Sequence, residues 1–208
     1  MSGEGNTSSQ SPRALWDMLE EFCRSESLSE DDLLEIIGQH KVALNNDPDI
    51  RYDYDFFHEA CCNERVTEGI LRILLEYFPY AASATDEYGN MPLHCICGNS
   101  NVTLGMVQLL VDASPNSLLH ENSDGCTPLQ FLSSNGRMDE EVAVEILKLL
   151  IEKCPESVQR EHDEYGALPI HYAAANRSLE FCRILVGAYP GSERMTDYAG
   201  RLPFHLAC

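Results

Sequence analysis

One string returns four times along the chain: DEYGNMPLH at 86–94, NSDGCTPLQ at 122–130, DEYGALPIH at 163–171 and DYAGRLPFH at 197–205. The glycines of successive copies lie 36, 41 and 34 residues apart, which is the length of one supersecondary unit. A chain built this way folds as a row of similar units, each too small to bury a core alone. Within a copy, the acidic or amide residue favours a turn, the glycine can take positive φ, and the proline suits the first turn of a helix.

A second signal follows each helix start: ILRILLEYFP closing at Pro79, MVQLLVDASP at Pro115, EILKLLIEKCP at Pro155 and FCRILVGAYP at Pro190. Ile70, Leu71, Leu74 and Leu75 keep the rhythm of a helix buried on one face, and the proline marks its end. Each unit therefore reads as turn, helix, loop, helix, with pairs expected near 14–38, 57–79, 93–115, 129–154 and 170–189. The longest spacing falls where SSNGRMDEE lengthens an exposed loop between two helices.

These units resemble the ankyrin repeat, whose β-turn, two helices and Thr-Pro-Leu-His-x-Ala signature survive in Thr127-Pro128-Leu129 and Ile170-His171-Tyr172-Ala173. The resemblance covers roughly 50–208 and rests on four copies in phase. It implies an all-α, ankyrin-like solenoid of stacked helix-turn-helix repeats with short β-turn hairpins. Met91, Leu168 and Leu202 stand where the family prefers Thr, and prolines replace its usual Gly-Ala after the second helix. Residues 50–58 keep the His but lack both Gly and Pro.

Upstream, Leu15, Met18, Leu19 and Phe22 form an amphipathic stripe, and Ser29 followed by Glu30, Asp31 and Asp32 reads as a cap with an acidic first turn, opening a helix that ends near Gly38. The expected organisation is a disordered tail at 1–12, a degenerate capping repeat at 13–48, and ankyrin-like repeats at 49–208, four of them full and the last truncated. The chain stops at Cys208 inside a first helix, so more protein is expected beyond it.

With 14 basic against 34 acidic residues, the net charge of −20 opposes phosphate backbones and anionic lipid, so neither nucleic acid nor membrane is an expected partner. No run of eighteen apolar residues and no signal-like start occurs; a cytoplasmic location is expected, with the nucleus open, and nine mostly reduced cysteines.

His-x-x-Cys recurs at His58–Cys61, His94–Cys97 and His205–Cys208, a spacing that suits metal ligands. The frame argues otherwise. The third residue after the motif His or Gln is Cys61, Cys97, Ser133, Ala174 or Cys208, so the position selects small volume. His58, His94, His171 and His205 share one motif position with Gln130, as hydrogen-bonding groups at a helix start would; His40, His120 and His162 show no partner. No P-loop, GxGxxG, GxSxG or paired-carboxylate framework occurs, so no catalysis, cofactor or metal is expected.

In ankyrin repeats the hairpin tips and first helices form a concave binding face. Carried onto this sequence, that face holds Glu59, Glu87, Tyr88, Asn90, Asp124, Phe131, Glu164, Tyr165, Tyr172, Tyr198 and Arg201. Aromatics among carboxylates imply a noncatalytic protein-interaction scaffold whose protein partner is basic with apolar side chains. The alternatives are a regulatory or targeting repeat region of a larger enzyme, and a metal or thiol-redox protein.

Overall fold

The computed structural model describes residues 12–40, 54–162 and 164–207. Residues 1–11 of the expected tail, the boundary at 48/49, the turn before Tyr54, Asp163 and Cys208 lie outside them, while Pro12, assigned to that tail, begins the first helix.

The described chain is all-α. Its helices are α1 (Pro12–Arg24), α2 (Glu30–Gln39), α3 (Asp55–Cys62), α4 (Glu68–Tyr77), α5 (Pro92–Gly98), α6 (Leu104–Ala113), α7 (Pro128–Ser134), α8 (Glu140–Lys153), α9 (Pro169–Asn176) and α10 (Leu179–Ala188). No strand occurs among the described residues; the hairpins are turns, each closed by two backbone bonds. No described helix is long and apolar enough to cross a membrane.

Two rows of helices result. The odd-numbered helices pack in chain order, α1 on α3, α3 on α5, α5 on α7 and α7 on α9, and the 3-10 turn Pro203–Leu206 continues that row. The even-numbered helices α2, α4, α6, α8 and α10 form a parallel row behind them. Local chemistry sets where each begins. Pro92, Pro128 and Pro169 start α5, α7 and α9 with φ already fixed and no amide hydrogen to leave unpaired. The rear helices are capped by side chains: Ser29 accepts from Asp32 N, Thr67 from Ile70 N, Thr103 from Met106 N, Asp139 from Glu141 N and Val142 N, and Ser178 from Phe181 N.

The expected helix-ending prolines do more than end helices. Pro79, Pro115 and Pro155 each open a 3-10 turn, Pro79–Ser83, Pro115–Leu119 and Pro155–Gln159. The residue before each proline is held out of the helical region, at φ −131°, ψ 63° for Phe78, φ −143°, ψ 78° for Ser114 and φ −148°, ψ 82° for Cys154, since a following pyrrolidine ring disfavours helical backbone there. Ser117 and Ser157 then hydrogen-bond back to the carbonyls of Ser114 and Cys154.

Between the rows lies one apolar core, with Leu33, Ile37, Ile70, Leu71, Leu74, Val107, Leu110, Ile146, Leu147, Leu150, Phe181 and Leu185 from behind and Leu93, Ile96, Leu129 and Leu132 from in front. Each such side chain contributes about 1.5 to 3 kcal/mol. Aromatic rings pack the first end: Trp16 stacks on Phe56 at 5.7 Å, and Phe78 meets Phe56 edge-on at 5.0 Å.

The small-volume frame is buried at Cys61, Cys97 and Ser133, but Ala174 is only half-buried, because α9 has the short 3-10 turn rather than a full helix against it.

Candidate partner-binding face

Each hairpin tip is held by the residue that opens it. The Asp86 carboxylate oxygen Oδ1 accepts the amides of Tyr88 (2.9 Å) and Asn90 (2.8 Å), and the Asp86 carbonyl accepts Gly89 N at 3.0 Å. That closure needs the left-handed backbone of Gly89, at φ 76°. Asn122 and Asp197 repeat the device towards Asp124 and Cys126, and towards Ala199 and Arg201. Successive tips are tied: Ser123 N donates to Tyr88 O, and Tyr198 N to Tyr165 O, each at 2.9 Å.

Behind the tips, the motif His or Gln bonds in two directions. His94 Nδ1 accepts Met91 N–H at 3.1 Å, which leaves the ring hydrogen on Nε2, where it is shared between the carbonyls of Cys126 (3.1 Å) and His120 (3.2 Å). Gln130 makes the same pattern with an amide, accepting Thr127 N at 2.7 Å and donating to Ala167 and Arg160 carbonyls. Leu168 N and Leu202 N donate to His171 and His205 in the same way. His171 turns its other nitrogen towards the Arg201 and Met195 carbonyls without reaching hydrogen-bond geometry. Burial pulls the His94 imidazole down to about 4.

The expectation that His40, His120 and His162 lack partners is wrong for all three. His120 Nε2 donates to Gly89 O at 3.0 Å and its ring meets His94 edge-on; His40 Nδ1 reaches Ile36 O; buried His162 accepts Glu164 N through Nδ1. Each partner is either a backbone atom of a neighbouring unit or a backbone atom close in sequence, so no side-chain motif announces it.

A ladder of asparagines adds ties that the motif does not contain. Asn63 donates from Nδ2 to the carbonyls of Cys23 and Ser25, Asn99 to Cys61 and Asn63, and Asn135 to Cys97 and Asn99. Their oxygens accept the amides two residues on, at Arg65, Asn101 and Arg137. The sequence carries a signal for it, since the three are spaced 36 apart. In the next unit Arg177, with its side chain 1% exposed, takes over by donating to the Leu132 and Met138 carbonyls, with Glu140 as its ion-pair partner.

The residues expected to bind a partner divide into groups. Tyr88 (62% exposed), Glu59 and Glu87 share a cavity of about 280 Å3 with Asp86, Arg24 and Cys62. Tyr88 also borders a cavity of about 420 Å3 whose walls include Asn90, Cys95, Phe131 and Arg137. Tyr165, Tyr172 and His162 form a second aromatic cluster, with ring centroids 4.7 Å and 6.5 Å from His162. The Tyr198 ring lies where a Cβ on Gly166 would be. The neighbouring Glu164 carboxylate raises the pKa of the Tyr165 hydroxyl. Asp124 is exposed at its tip.

Three of the expected residues are occupied within the chain. Asn90 donates to Asp86, accepts from Asn122 and offers its carbonyl to His58; Arg201 pairs with buried Asp197 at 2.7 Å; Glu59 pairs with Arg24 at 2.8 Å. Among the described residues no three His, Cys, Asp or Glu side chains converge as metal ligands. The nitrogens of His58 and His94 face backbone groups, and burial pushes the Cys97 thiol up to about 12. Neither a family model nor a curated protein matches the chain.

Proposed function

We propose that the chain is a noncatalytic protein-binding module, an ankyrin-like solenoid whose face of hairpin tips and front helices takes a basic segment with apolar side chains. The ankyrin-like reading is supported by units stacked in the order of the repeated motif, with positive-φ glycines at the four motif turns and with His58, His94 and Gln130 bonding into the unit that follows. The observation that carries the binding reading is Tyr88. It is the exposed aromatic where two adjacent cavities meet, among Glu59, Glu64, Asp86 and Glu87. Apolar side chains suit the cavities, and lysines or arginines suit the rim.

The test is a panel of fluorescent peptides, basic or acidic, each with and without leucine or aromatic residues, read by polarisation. Basic apolar peptides should bind and acidic ones should not. Tyr88→Ala should weaken binding about tenfold, or about 1.4 kcal/mol, mainly through faster dissociation. Glu87→Gln should slow association chiefly at low salt. Binding indifferent to peptide charge and to Tyr88 would overturn the assignment.

A further inference from the structure

Cys62 and Cys95 fall outside the frame that explains their neighbours. Cys61 and Cys97 occupy the buried small-residue position; Cys62 and Cys95 sit close by in sequence and point elsewhere. Cys62 is the last residue of α3 and Cys95 lies within α5, the next helix of the front row. Both line the two cavities that meet at Tyr88, and Cys62 also borders a third, of about 360 Å3, beside Arg24 and Arg65. Along those walls the two thiols lie close enough for each to shift the other's titration.

We propose that Cys62 and Cys95 form a peroxide-oxidisable dithiol site, with Cys62 the attacking thiol and Cys95 the resolving one. Three observations assign the roles. Cys62 is the exposed member of the eight described cysteines, whereas Cys23, Cys61, Cys97 and Cys154 are buried. The neighbouring Cys95 thiol draws the Cys62 thiol below its ordinary pKa, against partial burial and the Glu59 and Asp86 charges, while every other described cysteine is pushed up. Cys95, less exposed, lines the same two cavities and is left alongside when Cys62 reacts.

The chemistry balances with hydrogen peroxide as oxidant. The Cys62 thiolate attacks one peroxide oxygen, the O–O bond breaks, hydroxide leaves, and Cys62 becomes a sulfenic acid. Cys95 then gives up its proton and attacks the Cys62 sulfur, displacing hydroxide that leaves as water. Two thiols lose two electrons and one peroxide becomes two waters. A small neutral oxidant fits this place better than anionic glutathione disulfide, because Glu59, Glu64, Asp86 and Glu87 ring the cavities. A disulfide holds its Cα atoms roughly 4.4 to 6.8 Å apart. Cys62 ends its helix, so the adjustment falls on one terminal residue.

The site shares its cavities with the proposed partner face but does not depend on that reading, and it is tested without a partner. The full chain, reduced and freed of reductant, is exposed to graded hydrogen peroxide, labelled with N-ethylmaleimide, digested and mapped by mass. The expected first product is a dithiothreitol-reversible peptide pair joined through Cys62 and Cys95, in a monomer on non-reducing gels. In Cys95→Ser, Cys62 should accumulate as a sulfenic acid captured by dimedone; in Cys62→Ser, Cys95 should keep its label at the doses that oxidise the parent. If a serine variant loses its circular dichroism, the map of the parent chain decides alone. The proposal is overturned if Cys62 is oxidised no faster than Cys126 or Cys182. It is equally overturned if Cys62 joins another cysteine or a second chain, or reaches sulfinic acid with Cys95 still labelled.

Discussion

His94 shows how one ring can fix two neighbouring units and also set a pH limit. Its Nδ1 must stay unprotonated to accept Met91 N–H, and its burial penalises charge, so its pKa falls to about 4. The unfolded chain, with an ordinary value near 6.5, binds the proton more tightly than the fold does. The contribution is therefore fully present above about pH 6.5 and is lost as pH falls towards 4, with a ceiling of about 3 kcal/mol. Gln130 makes the same bonds without titrating, so His94→Gln should fold. Urea unfolding at about pH 7 and about pH 4.5 should show the parent losing more stability on acidification than the variant, since the carboxylates titrate in both. Equal losses would show that His94 does not carry this dependence.

Between helices, the asparagine ladder holds the end of each front helix to the one before it. Removing Asn99 leaves the carbonyls of Cys61 and Asn63 without that donor, at a cost of about 1 to 3 kcal/mol for Asn99→Ala. Asn99→Asp should cost more, because it turns an acceptor towards two carbonyls and adds a charge at a buried position. Urea midpoints should fall in the order parent, Asn99→Ala, Asn99→Asp; an aspartate variant as stable as the parent would show that the ladder does not hold the helices. Much at this scale is legible in the sequence. The in-phase turn motif places the helices α5 to α10, and the apolar stripes name Ile70, Leu71 and Leu74 as core. The ladder is legible only as a spacing, and asparagine in a loop already has a sufficient local explanation as a turn former. The 3-10 turns after Pro79, Pro115 and Pro155 escape a sequence reading because a proline states that a helix ends, not which conformation the next residues take. The pairing of Cys62 with Cys95 is out of reach for a further reason. They stand at different offsets from their motif histidines, and only the way α3 leans on α5 brings them together.

Across the whole molecule, charge works against the fold. The 34 acidic and 14 basic residues leave −20, while pairs such as Arg72–Glu68 and Arg24–Glu59 are more than a third exposed on both sides. Salt has two opposed effects here. It weakens those pairs, each worth at most about 1 kcal/mol, and it screens repulsion among the unpaired carboxylates. Raising ionic strength from about 0.01 M to about 0.15 M shortens the screening length from about 30 Å to about 8 Å. At the lower value a carboxylate feels several helices on either side; at the higher it feels about one helix spacing, roughly 8 to 10 Å. Repulsion is summed over many pairs and attraction over few, so the melting temperature should rise with sodium chloride over this range. Calorimetry at fixed pH checks it, and a melting temperature that falls with salt would mean that the exposed ion pairs outweigh the net charge. The same screening should slow association with a basic partner, so stability and binding rate should move in opposite directions along one salt series.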